Sequence, residues 1–272
     1  MATRLLGRTA LPGRPVVMGH RGSGKGHGEN TIDSFAAAAA AGAQWVEADV
    51  RTCADGSLVI AHNPTSHDGR FFSELSVAEV QAQGVITLID LLEFLPAGLG
   101  LNLEIKSSLE DAGRDRASTT AALVAARVAT LPADRPLMIT SFDPSTLVIV
   151  REVAPAMPVG LLGWTGFPLR KLIPAGVHLG CAAVVANIHS FGDNRLDGAP
   201  ARHDPVHAVQ VAHDAGIDVV VWCPRVPQMN EMVRLRVDGV VVDDVAGTLA
   251  ALDACVAGAE LPFPGETQPS TT

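Results

Sequence analysis

Trp45-Val-Glu-Ala-Asp-Val-Arg-Thr-Cys-Ala-Asp-Gly-Ser-Leu-Val-Ile-Ala-His62 holds two apolar, strand-like runs, Trp45 to Val50 and Leu58 to His62, joined only through Cys53 to Ser57 with Ala54-Asp55-Gly56 as the turn. A parallel crossover needs about a dozen residues or more, so the second run has to return antiparallel to the first. The hairpin brings His62 back to the level of Glu47 and Asp49. Those two acids stand at i and i+2, which on a strand puts both carboxylates on one face.

Outward from this hairpin the chain keeps one rhythm. Short apolar or β-branched runs recur at Val16 to Gly19, Leu101 to Ile105, Leu137 to Thr140, Val159 to Leu162, Ala183 to Ala186, Asp218 to Trp222 and Gly239 to Val242. Helical patterns lie between them at Ile32 to Ala41, Thr87 to Leu95, Ser118 to Thr130, Pro144 to Val153, Pro205 to Ala215, Pro227 to Arg236 and Ala246 to Val256, with a weak turn around Pro168 to Ile173. The alternation predicts parallel strands. Proline in the first turn of several helical patterns marks their starts, because its missing N–H would go unpaired there anyway. The fold class is therefore α/β, a (β/α)8 TIM barrel with a β-hairpin extension after the second strand and a short insertion, Asn63 to Val85. The expected boundaries are an N-terminal extension over 1–15, one barrel domain over 16–258, and a polar, Pro-rich tail over 259–272 expected to be disordered.

At 272 residues with 47% hydrophobic side chains, the chain can bury a sizeable core as one domain. A formal net charge of -9 argues against a nucleic-acid partner, which calls for a basic stripe. No apolar stretch reaches the roughly 18 residues of a membrane span, so no stable membrane insertion is expected. The segment Met1 to Pro15 lacks the apolar core of a secretory signal, and the expected location is the cytoplasm. Cys53, Cys181, Cys223 and Cys255 lack C-x-x-C spacing and read as reduced thiols.

Barrel enzymes work at the carboxyl ends of their strands. His20, Glu47, Asp49, Glu104 and Trp222 all fall at such ends, and the hairpin carries His62 to them. Three carboxylates, Glu47, Asp49 and Glu104, with waters and a substrate phosphate, suit Mg2+ or Ca2+. Taken singly, each acid has the alternative of capping a helix or pairing with an arginine. Three together repel strongly without a cation. His20 and His62 are suited to general acid and base roles, since imidazole titrates near working pH; a lone histidine on an apolar strand is otherwise a satisfied core group. Arg21 and Lys106 are fixed cations for phosphate oxygens, and Lys106 has the further option of a salt bridge to Glu104.

The runs His20-Arg21-Gly22, Glu29-Asn30-Thr31, Ser34-Phe35, Glu47-x-Asp49-Val50, Thr52, Asp55-Gly56 and His62 resemble the glycerophosphodiester phosphodiesterase signature. Leu103-Glu104-Ile105-Lys106, Ser141-Phe142, the strand-end Trp222 and Asp238-Gly239-Val240 extend the resemblance over roughly residues 16 to 245. The resemblance implies a barrel. It further implies that His20 and His62 are acid and base, that Glu47, Asp49 and Glu104 hold the metal, and that Arg21 and Lys106 hold phosphate. Glu29 and Asn30 resemble loop-positioning residues, and Trp222 would line the substrate pocket. The implied reaction converts a small glycerophosphodiester, such as glycerophosphocholine or glycerophosphoethanolamine, to sn-glycerol 3-phosphate and an alcohol. Whether a glycerol hydroxyl attacks first, through a cyclic phosphate, or water attacks directly stays open.

Two departures stand out. The family pattern has an aspartate after the second histidine, where this chain has Asn63 followed by Pro64. The glycine-rich run Gly22 to Gly28 resembles a glycerophosphocholine-cleaving branch and reads either as a mobile loop or as a rim that offers Lys25 or His27 to substrate. A lysophospholipase D-like or sphingomyelinase D-like enzyme and a non-catalytic phosphodiester-binding protein are the competing readings. Elsewhere, His189, Phe191 and Asn194 follow the sixth strand toward the mouth, where polar loop residues commonly only pair with backbone. Arg225 is a candidate head-group contact. His203, His207 and His213 are expected to be solvated on the outer wall.

Overall fold

The computed structural model describes residues 5–6, 13–23, 26–132, 135–192 and 203–257. The tail, most of the extension, Lys25 and Asn194 fall outside the described residues. The strands are β1 Val16–Gly19, β2 Trp45–Thr52, β3 Leu58–Ile60, β4 Gly100–Ile105, β5 Leu137–Ser141, β6 Val159–Leu162, β7 Ala183–Asn187, β8 Asp218–Trp222 and β9 Gly239–Val242. The α-helices are α1 Ile32–Ala40, α2 Val77–Gln81, α3 Leu88–Phe94, α4 Thr120–Val128, α5 Pro144–Val153, α6 Leu169–His178, α7 Pro205–Asp214, α8 Met229–Leu235 and α9 Val245–Ala257.

The strand order is β1-β9-β8-β7-β6-β5-β4-β2-β3, and β1 also pairs with β2, so all strands but β3 close into a parallel barrel. β3 runs antiparallel on β2, with Val50 opposite Ile60 and Thr52 opposite Leu58. The strand ends at Ile60, two residues short of the expected His62, but the Ala61 amide still donates to the Asp49 carbonyl at 2.9 Å. That ladder sets the height at which His62 enters the barrel mouth.

Alternation along each strand divides the core in two. Val16, Met18, Trp45, Met138, Val185, Val220 and Val241 fill the barrel interior, while Val17, Val46, Ala48, Leu101, Leu103 and Ile139 meet the surrounding helices. Leu6 is fully buried in the interior cluster, and its N–H donates to Asp218 Oδ2 at 2.8 Å, so Leu6 fills the barrel floor.

Local signals start the helices as the sequence anticipates. Thr31, Asp143 and Asp204 accept N-terminal amides of α1, α5 and α7, and Pro144 and Pro205 follow the two aspartates. Two readings need correction. The weak turn at Pro168 to Ile173 is a full helix, α6, that continues through Pro174 to His178. Burial of Leu169, Leu172, Ile173 and Gly176 outweighs the one hydrogen bond the proline cannot make. The insertion carries a 3-10 turn at Phe72–Glu74 and α2, and Phe72, Leu75 and Val80 pack on Cys53 and Val59 as a small separate core that props the hairpin. His213 is not solvated: its Nε2 lies 2.8 Å from Asp238 Oδ2, which also accepts the Val219 amide at 2.8 Å.

Candidate active site

Two parallel strands build the site by alternation and register. Along β2 the inward positions are Trp45, Glu47, Asp49 and Arg51; along β4 they are Gly100, Asn102, Glu104 and Lys106. The register sets Trp45 beside Gly100, Glu47 beside Asn102 and Asp49 beside Glu104. At the bottom the Trp45 indole lies across Gly100, where any Cβ would come within 2.2 Å of Trp45 Cδ2. Above that floor the carboxylates are stacked, and the cations Arg51 and Lys106 form the next layer. Arg51 is tied down by its guanidinium, which donates to the His62 carbonyl.

Oxygens of Glu47, Asp49 and Glu104 lie within 4.8 Å of one another, and all three residues are buried. Burial and the adjacent Asp49 charge push the Glu47 carboxyl up to about 8. Burial and Asp49 likewise push Glu104 up, partly opposed by Lys106. Asp49 resists burial because the Lys106 ammonium, Arg21 and Asn30 together hold it below the usual carboxylate range. Lys106 Nζ is 3.1 Å from Asp49 and also pairs with Glu104. The salt bridge to Glu104 foreseen for Lys106 is present, and Lys106 also borders the pocket.

The turn after β1 supplies the other wall. His20 continues the ladder through its amide to the Val242 carbonyl at 2.9 Å. Arg21 then adopts a left-handed conformation, φ 51, and its amide donates to Glu47 Oε2 at 2.9 Å. Its guanidinium reaches Asp49, with Nε at 3.2 Å, and also pairs with Glu29. Gly22 completes the turn at φ +90, where a Cβ would fall 2.2 Å from Ser34 Oγ. Asn30, itself at φ 58, clamps Asp49 from both sides: Nδ2 donates to Asp49 Oδ2 at 2.9 Å, and Oδ1 accepts the Asp49 amide at 3.2 Å. Left-handed backbone at two non-glycine residues is costly, and it persists here because this network over-determines it.

The two histidines have opposite surroundings. His20 Nδ1 lies 2.7 Å from Asp243 Oδ1 and 3.7 Å from Cys223 Sγ. Burial works against a charged ring, yet Asp243, Cys223 and Glu47 outweigh it and raise His20 to about 11. Among the described residues, the His62 ring meets only Asn63 Oδ1, 3.2 Å from its Nδ1. Burial, Lys106 and Arg21 outweigh Asp49 there and hold His62 below its ordinary value.

His20, Arg21, Glu47, Arg51, His62, Glu104 and Lys106 border one cavity of ≈ 550 Å³, lined also by Phe142, Trp164 and Trp222. Phe142 stacks on Trp164 at 4.3 Å and meets the edge of Trp222 at 5.8 Å. The structure thus gathers His20, His62, Glu47, Glu104, Arg21, Lys106 and Trp222 around one space, with Asp49, Asn30 and Glu29 behind them. Sequence reasoning missed Asp243, Cys223, Arg51 and Trp164. Arg51 stands two residues beyond Asp49 and Asp243 directly follows a strand, the very signals used for the other acids; nothing in the sequence marks Trp164. Of the remaining candidates, Phe191 is buried in the core, His189 and Arg225 are exposed, and none of the three lines this cavity.

A profile of the glycerophosphoryl diester phosphodiesterase family matches residues 20–246. A glycerophosphodiester phosphodiesterase of Caldanaerobacter subterraneus is 24% identical over 250 residues, covering 85% of this chain and 95% of the relative. A phosphodiesterase of Oleispira antarctica, solved with the product sn-glycerol-3-phosphate, superposes with a TM-score of 0.72 at 25% identity, covering 88% of this chain and 97% of its own. A Silicibacter pomeroyi structure assigned to the same family gives 0.73 at 25% identity, covering 90% and 95%. The chain belongs to the glycerophosphoryl diester phosphodiesterase family and is an enzyme that hydrolyses glycerophosphodiesters.

Proposed function

We propose that this enzyme cleaves small, water-soluble glycerophosphodiesters, of the glycerophosphocholine and glycerophosphoethanolamine kind, to sn-glycerol 3-phosphate and a free alcohol, with help from Mg2+ or Ca2+. The observation that carries this reading is the set of three buried, mutually repelling carboxylates at the base of a cavity flanked by two histidines. Glu47 Oε1 is buried and, among the described residues, accepts no hydrogen bond, an arrangement that suits a hard cation held by oxygen donors. Glu47, Asp49 and Glu104 would hold that ion, which supplies a Lewis acid and a template for phosphate oxygens when bound.

The chain's own groups divide the remaining work. Arg21 and Lys106, both fixed by buried carboxylates, neutralise the non-bridging phosphate oxygens. His20, kept protonated by Asp243, donates its proton to the departing alcohol oxygen. His62, kept neutral, accepts the proton of the attacking oxygen, and Asn63 orients it through Nδ1 in the place where a carboxylate would otherwise stand. Asn30 and Glu29 hold Asp49 and Arg21 in position. The wall of Phe142, Trp164 and Trp222 receives the alcohol. Four cysteines free of disulfides fit a reducing compartment and hence the cytoplasm.

A panel of glycerophosphocholine, glycerophosphoethanolamine and lysophosphatidylcholine, with sn-glycerol 3-phosphate as the readout, tests this reading. Product from the first two is expected. Turnover of lysophosphatidylcholine alone would assign the enzyme to lysolipids, and binding without turnover would remove the catalytic reading.

A further inference from the structure

Three neighbouring strands each present, one residue past their last strand residue, a different metal-ligating side chain. β8 ends at Trp222 and is followed by Cys223; β9 ends at Val242 and is followed by Asp243; β1 ends at Gly19 and is followed by His20. These strands lie side by side in the order β1-β9-β8. A sulfur, a ring nitrogen and a carboxylate oxygen consequently meet within 4.8 Å of one another. The thiol and the carboxylate both address the same atom, His20 Nδ1, at 3.7 and 2.7 Å.

We propose that His20, Cys223 and Asp243 form a second metal site, for a thiophilic divalent ion of the Zn2+ class, and that filling it shuts off hydrolysis by capturing His20. The donor chemistry separates this site from the one beside it. Glu47, Asp49 and Glu104 offer only oxygen, the preference of Mg2+ and Ca2+, whereas sulfur and imidazole together favour Zn2+ over both. Tetrahedral ligation with Zn–S of about 2.3 Å and Zn–N of about 2.0 Å holds S and N roughly 3.5 Å apart. The observed separation is 3.7 Å. The nitrogen–oxygen pair has to open from its hydrogen-bonded 2.7 Å to about 3.3 Å, a small shift for a side chain as exposed as that of Asp243. On binding, the thiol proton and the Nδ1 proton pass to solvent as the metal–sulfur and metal–nitrogen bonds form, and the fourth position stays open to water. A ring ligated at Nδ1 is neutral and keeps only its Nε2 proton, whose loss would leave an imidazolate instead of a neutral imidazole, so it no longer serves as a ready proton donor.

The blocking half of this proposal rests on His20 acting as proton donor; the binding half does not. The test uses the full chain in saturating Mg2+, so that the oxygen-only site is already engaged, with Co2+ as a spectroscopic probe. One equivalent of Co2+ is expected to give a thiolate-to-cobalt charge-transfer band in the near ultraviolet, Zn2+ to erase it, and Cys223→Ser to lack it. In parallel, Zn2+ is expected to inhibit glycerophosphocholine hydrolysis, with the inhibitory concentration at least tenfold higher in Cys223→Ser when each protein is scaled to its own uninhibited rate. Absence of the band in an active, chelator-sensitive enzyme overturns the site. A band without any effect of Zn2+ on turnover overturns the switch. A band in a chain that hydrolyses none of the diesters supports the site and counts against the proposed function instead.

Discussion

Glu47→Gln is expected to make the metal-free protein more stable in alkali and no more stable in acid. The Glu47 carboxyl is buried, faces Asp49, and stays neutral up to about 8, against 4.5 in an unfolded chain. Between those two values the folded state binds a proton that the unfolded state has released, so stability falls as pH rises through that window. At about 1.4 kcal/mol for each pH step, full ionisation costs the fold on the order of 5 kcal/mol. Glutamine never ionises and removes that cost. Its Oε1 can still accept the Arg21 amide, but its NH2 group enters a buried place beside carboxylates, a change of about 1–2 kcal/mol in either direction. Even with the amide costing its full 2 kcal/mol, the net gain at pH 9 is about 3 kcal/mol, a Tm rise of about 6–12 °C for a chain of this size. At pH 5, where wild-type Glu47 is itself neutral, no gain remains. Thermal unfolding of both proteins in EDTA across pH 5 to 9 measures the crossover. A Glu47→Gln protein with the same or lower Tm at pH 9 would refute the argument that the three acids are held together at a cost to the fold.

Gly100→Ala places a Cβ 2.2 Å from the Trp45 indole and should cost about 1–3 kcal/mol in denaturant unfolding, as overpacked cores do; unchanged stability would contradict the β2/β4 register. His20→Ala and His62→Ala should fold normally yet each lose ~10^2-fold or more in kcat, and native rates in both would remove them from the chemistry. Because His62 must be neutral to accept a proton and is held below its ordinary 6.5, the acid limb of the wild-type rate profile should fall below that pH and disappear in His62→Ala. Trp164→Ala, at a side chain 61% exposed, should leave Tm unchanged and raise KM about 2–10-fold for diesters with bulky alcohols; no change in KM would take Trp164 out of the substrate wall.

Much of the barrel is legible because both of its periodicities are short. Glu47 and Asp49 advertise a shared face by spacing alone, and Ala54-Asp55-Gly56 is too short a link for anything but a hairpin. What spacing does not reveal is which strands become neighbours. Cys223 and Asp243 gain significance only when β8 and β9 close against β1, and no local pattern announces that His20 will sit between them. Trp164 is a loop residue whose role depends on stacking with Phe142, a contact made across two strands. The helix α6 differs from the weak turn expected at Pro168 to Ile173 because the local preference of Pro174 to end a helix is outweighed by the apolar face buried on the barrel. His213 was misplaced for a similar reason, since the acid that holds it, Asp238, belongs to the turn before another strand.

The central claim is that Glu47, Asp49 and Glu104 hold one divalent cation on which diester hydrolysis depends. Its most direct test is the rate of sn-glycerol 3-phosphate release from glycerophosphocholine by chelated enzyme as Mg2+ or Ca2+ is added back, with the bound ion counted in the same samples. The account predicts negligible turnover in chelator, recovery that follows the binding of one ion per chain, and loss of both binding and recovery in Glu104→Gln. Full turnover in chelator, or recovery in Glu104→Gln equal to that of the wild type, would contradict it.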